Sequence, residues 1–129
     1  MNISQAAALT GLSTKQIRDY EKVGLMLSVK RNTSGYRIYD GLNLERLHFI
    51  AKARQVGFSL EQIKTLLVLK DNPQRHSCDV KALTSAHIAD IGNKIHQLQQ
   101  MKNLLQSWHD KCHGDERAEC VILQSLSTS

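Results

Sequence analysis

The chain has 129 residues, 41% of them hydrophobic and 22% charged, and a formal net charge of +5. That length suits one compact domain with an appended helical element, and no apolar run approaches the ~18 residues a membrane span needs. With no basic-then-apolar leader and an odd count of three cysteines, a cytoplasmic protein with reduced thiols is expected, not a disulfide framework.

The first helix signal is Ile3, Ala6 and Ala7 on one face, ended by Gly11. Ser13 and Gln16 then read as a capping box, in which two side chains satisfy the backbone N–H groups a helix start leaves open. Leu12 before the cap and Ile17 inside the helix can staple it. Ala7, Gly11 and Ile17 have the spacing of a helix-turn-helix: a small residue at the crossing, glycine in the turn, isoleucine packing back. A bare helical corner carries the same pattern, so the outward residues decide. Lys15 and Arg18 share a face near the start of the second helix, where a major groove would be met. Tyr20 can pack its ring while offering its hydroxyl to a phosphate. Asp19 and Glu21 suit pairing with nearby cations.

Residues 29–39, "VKRNTSGYRIY", predict a small hairpin, with Asn32, Thr33, Ser34 and Gly35 turning the chain. Lys30, Arg31 and Arg37 flank its tip, as in a wing that touches backbone phosphates beside the recognition helix. Asp40 or Asn43 can start the next helix, whose core face is Leu44, Leu47, Ile50 and Ala51. Gly57 ends it. Ser59 and Gln62 form a second capping box, stapled by Phe58 and Ile63, and Leu66 and Leu67 continue the buried face.

At this point the charge changes. Residues 1–70 hold eleven Lys/Arg against five Asp/Glu, and residues 71–129 hold six against seven. A basic amino-terminal half joined to a near-neutral one indicates a polyanion-binding module with a separate second function. Pro73 breaks the chain, and a helix is predicted from about Ser77 to Cys112. Ile88, Ile91, Ile95, Leu98, Met101, Leu105 and Trp108 recur along it at three or four, a period that favours pairing with another helix. The simplest partner is the same helix of a second subunit, which also supplies two recognition helices for a two-fold site.

Cys112 and Cys120 bracket a polar loop after this helix. Two thiolates suit Cu(I), Ag(I) or Au(I), whereas structural zinc wants four ligands and closer cysteine spacing. His109 and His113 could complete a zinc set, and the thiols could form a redox pair, so both alternatives stay open. A thiol enzyme is disfavoured, because no nucleophile motif, phosphate loop or HExxH is present. Cys78, one step from Ser77, reads as a small buried hydrophobe. "VILQSL" after the loop can form a short amphipathic helix that folds over the site.

Along nearly its whole length the chain resembles the MerR family of transcription regulators. The resemblance rests on "MNISQAAALTGLSTKQIRDYEKVGL", "SGYRIY", "ARQVGFSLEQI" and the long helix. The copper(I)-sensing CueR branch is the most similar, through "NPQRHS" and two cysteines with seven residues between them. The resemblance implies a mainly α fold: a winged helix-turn-helix DNA-binding domain over 1–70, a linker and antiparallel coiled-coil dimerisation helix over 71–111, and a metal-binding loop with a short helix over 112–129. It implies a homodimer on promoter DNA whose two polymerase elements are too widely spaced. Metal binding then distorts the DNA so that RNA polymerase can use them. Carried over, Arg18, Tyr20, Arg31, Tyr36 and Arg37 would contact DNA, with Lys15 beside them, and Cys112 and Cys120 would bind Cu(I). Ser77 would approach the partner's metal loop, where divalent-ion sensors of the family carry cysteine. The family's usual proline after each loop cysteine is absent, since His113 and Val121 follow.

Overall fold

A computed structural model describes residues 1–128. Among them the order is α1 (Ile3–Thr10), α2 (Thr14–Lys22), β1 (Lys30–Arg31), β2 (Arg37–Ile38), α3 (Gly41–Gln55), α4 (Leu60–Asp71), α5 (Ser77–Lys111) and α6 (Val121–Ser127). The mainly α class with a helix-turn-helix and a wing is the expected one. No helix among the described residues is long and apolar enough to cross a membrane.

Local signals set the helix starts. Capping boxes form at Ser13 with Gln16 and at Ser59 with Gln62, as read from the sequence, and also at Asn2 with Gln5. Asp40 and Asn43, alternative starts in the sequence, are the two halves of one box: Asp40 is the N-cap and Asn43 answers it. Each such cap is worth about 1 kcal/mol. Gly11 closes α1 at φ 74°, a left-handed turn that a Cβ would strain, and its N–H donates to the Ala7 carbonyl.

The chain divides into two compact units, Met1–Val80 and the part from Lys81 onward. In the first, α1 packs on α2 and α3, and α3 packs on α4. One apolar cluster lies between them, with Ile17, Leu25, Tyr39, Leu47, Ile50, Ile63 and Leu67 almost wholly buried. The β1–β2 pair is antiparallel, with Lys30 opposite Ile38 and Arg31 opposite Arg37. The Asn32 side chain accepts from the Ser34 and Tyr36 amides and so shapes the hairpin tip. Tyr39 and Met1 exchange backbone hydrogen bonds of 2.8 and 2.9 Å, tying the end of the wing to the start of the chain. Arg46 donates to the Leu25 carbonyl and pairs with Asp71 at 3.0 Å, which joins the turn after α2 to the end of α4.

The second unit has a different character. It holds most of α5, a 35-residue helix that extends ~50 Å at 1.5 Å per residue. Its row of Ile88, Ile95, Leu98, Met101 and Leu105 stays 55–64% exposed. Beyond α5 come the cysteine loop and α6.

Candidate nucleic-acid face and metal site

The first site lies in the amino-terminal unit. Lys15 and Arg18 both stand exposed on α2. Lys15 reaches Asp19 at 3.0 Å, but at 85% exposure that pair is weak and yields readily to a phosphate. Arg18 has no carboxylate partner among the described residues. It lines a groove of about 550 Å³ between the chain start and the hairpin, together with Asn32, Tyr36 and Arg37. Tyr36 is 72% exposed there, whereas Tyr20 packs its ring into the core. Arg31 donates to the Gly35 carbonyl at 3.0 Å and so braces the hairpin tip while remaining exposed.

Arg37 is partly buried, with its Nε 2.6 Å from Glu21 Oε2. That contact is Coulombic: neither atom has an aligned hydrogen bond, and the buried Tyr39 hydroxyl also has no hydrogen-bond partner. Burial first, and then the Glu21 charge, push the Tyr39 phenol above its usual value, so it stays protonated. The sequence marked Tyr39 only as a strand former of the hairpin. The signal was present all the same, because Arg37 and Tyr39 are two apart at a strand and share a side.

The second site follows α5. Cys112 comes directly after Lys111, with its amide donating to the His109 carbonyl at 3.2 Å. The loop turns at Gly114, with φ 66°, and the Asp115 carboxylate then holds the Arg117 amide and Nε at 2.9 and 2.8 Å. Cys120 occupies the N-cap of α6. The fold thereby brings the Cys112 and Cys120 sulfurs to 3.7 Å, both as free, half-buried thiols. One ion can bridge sulfurs separated by less than twice a metal–sulfur distance of ~2.3 Å. The donor set therefore fits a single soft metal ion.

The Leu123 backbone amide holds the Cys120 thiol below its ordinary range. The Cys112 thiol and the Ile122 amide add to this, and partial desolvation opposes it, although no full capping hydrogen bond forms. A cavity of about 620 Å³ adjoins the pair, lined by Cys112, His113, Cys120, Val121 and Leu123 among others. His109 turns instead toward Asp110, at 3.4 Å. Gln106 first, and then His109, hold that carboxyl below its usual value. Among the described residues no group of three His, Cys, Asp or Glu side chains is placed to hold a metal. Ser77 and Cys78 are exposed on the first turn of α5, and the Cys78 sulfur lies 4.0 Å from Asp79 Oδ1. Exposure is not what the sequence suggested for Cys78.

A family model described as "MerR HTH family regulatory protein" matches residues 1–69, and one described as "MerR, DNA binding" matches 44–108. A "Probable heavy metal-dependent transcriptional regulator" of Haemophilus influenzae is 58% identical, covering 98% of this chain and 99% of its own. The regulator CueR of Escherichia coli O6:H1 is 45% identical over 98% of this chain and 94% of its own. Among solved structures, the transcription regulator PbrR691 of Ralstonia metallidurans in complex with lead(II) superposes with a TM-score of 0.83. It shares 32% identity, with 98% of this chain and 99% of that one covered.

Proposed function

The chain belongs to the MerR family of transcription regulators, and on that premise we propose that it senses Cu(I), with Ag(I) and Au(I) as relatives, and activates copper-homeostasis promoters by distorting their DNA. It is a DNA-binding regulator and not an enzyme. The observation that carries the metal reading is the pair of thiols 3.7 Å apart, with Cys120 at a helix start. Heavy-metal-dependent and CueR relatives at 58% and 45% identity support it.

Cys112 and Cys120 hold the metal in this reading, and Ser77 of a second copy, brought to the loop by antiparallel pairing of α5, adds no third thiolate. Bound there, a soft monovalent ion supplies two polarizable bonds to thiolate sulfur. The chain's own residues do the rest. The Leu123 and Ile122 amides favour the thiolate at Cys120, and Gly114 permits the loop to bend back. Half-buried Val121 and Ile122 keep water from one side. The exposed apolar row of α5 supports a homodimer, because a row of that length in water finds its counterpart in a second copy. Lys15, Arg18, Arg31, Tyr36 and Arg37 hold phosphates or base edges, with Tyr20 behind them, in the cytoplasm where RNA polymerase meets the same promoter.

The lead(II) complex of a regulator 32% identical to this chain favours one competing reading, a divalent ion at the same two cysteines. The thiol contact of 3.7 Å also allows an oxidant-driven disulfide. One experiment separates the three. Reduced protein is titrated with Cu(I) against a competing chelator while transcription from its promoter is followed, with Zn(II), Pb(II) and oxidant in parallel. Stoichiometric Cu(I) binding with activation is expected. Activation by a divalent ion, or by oxidant alone, would overturn it.

A further inference from the structure

Glu21 is a carboxylate on α2, the helix that also carries Lys15 and Arg18, where its charge should repel phosphate. Yet it is held in place: its side chain is only 23% exposed, and Oε2 sits 2.6 Å from Arg37 Nε. No other ion pair among the described residues is as short. Lys15–Asp19 on the same helix is 85% and 50% exposed, so salt screens it, whereas the atoms joining Glu21 to Arg37 are buried.

The partners also lie on different elements, Glu21 on α2 and Arg37 on β2. A hairpin with two residues per strand has no stability of its own, so its orientation must come from tertiary contacts. The buried Tyr39 side chain and its backbone exchange with Met1 anchor the end of the hairpin. Glu21 is the anchor for Arg37. An arginine presents a planar fork, and a carboxylate on its Nε leaves the terminal N–H groups free to donate elsewhere. Among the described residues those groups have no partner.

We propose that Glu21 is a positioning residue for DNA binding: it fixes the Arg37 guanidinium and the wing against α2, so that Arg37 and Arg18 meet the DNA at a set spacing. This rests on the DNA-binding reading above. The role and simple repulsion predict opposite signs when the charge is removed.

The test uses the full chain and a duplex selected by the unmodified protein from a randomised library, with binding followed by anisotropy across a salt series. Glu21→Gln should weaken binding about tenfold and lower the salt slope by about 1, as for one lost phosphate contact. Arg37→Ala should do the same, and the double variant should be no worse than Arg37→Ala alone. Binding by Glu21→Gln as tight as normal or tighter, or additive losses in the double variant, would overturn the proposal. Should Glu21→Gln not fold by circular dichroism, Glu21→Asp puts the same question. It keeps the charge and shortens the reach to Arg37, so weakened binding supports the proposal and normal binding overturns it. Arg18→Ala separates the two possible failures. Loss with Arg18→Ala and none with Glu21→Gln overturns the Glu21 role alone; no loss with either overturns the DNA face as well.

Discussion

The amino-terminal unit and the part from Lys81 onward solve the burial problem in different ways. The first closes an apolar core from four helices and a hairpin, with Ile17, Leu47, Ile50 and Ile63 all at 0% exposure. The second keeps Ile88, Ile95 and Leu98 at 58% exposure or more along α5, and carries its two paired thiols on a loop. A unit with its own core can hold DNA-contacting side chains rigidly. A helix that lacks one takes its order from whatever covers it, and that dependence suits a part that responds to an effector.

The sharpest way to break the comparison is at the loop. Cys112→Ser or Cys120→Ser should abolish tight Cu(I) binding and the transcriptional response. DNA affinity without metal should stay within about twofold, since these residues belong to the other unit. A matching loss of DNA affinity would mean that the two units do not divide the labour.

Next in size are the cores. Leu47→Ala should cost about 2–5 kcal/mol, read as a lower denaturation midpoint, because it opens a cavity in a fully buried cluster. Leu98→Glu should leave that amino-terminal stability alone and instead break the proposed homodimer, read by sedimentation. A stable dimer with Glu at position 98 would place the interface elsewhere.

Smaller effects test how the first unit is braced. Arg46→Ala removes a charged hydrogen bond to the Leu25 carbonyl and the Asp71 pair, at an arginine only 11% exposed, for about 1.5–3 kcal/mol. Ser59→Ala loses one formed cap on α4 and should cost about 1 kcal/mol by the same measurement. The least costly test is chemical. With its thiol held below the ordinary range by the Leu123 amide, Cys120 should alkylate at lower pH than a simple thiol, read by peptide mass mapping.

Much of this was legible from local pattern. Capping boxes join residues three apart, so Ser13 with Gln16 and Ser59 with Gln62 could be read directly, as could the Asn32–Gly35 turn. The Asp40 and Asn43 signals competed only because each is a good cap; backbone geometry gave them complementary places in one box. That two cysteines bracket a polar loop was legible too, as was α6 from "VILQSL".

Local pattern thus carried the elements, the basic half and the two-thiol loop, and the family resemblance added the kind of regulator. Packing settled which partner each charge takes and which charges face outward. Glu21 takes Arg37, Arg46 takes Leu25 and Asp71, and Arg18 keeps its charge free of any carboxylate among the described residues. It also decided that the two sulfurs stand 3.7 Å apart with Cys120 at a helix start. The physical reason is range. Caps and periodicity act within a turn or two of chain, whereas the Glu21–Arg37 and Arg46–Asp71 pairs form only after packing has brought separate elements together.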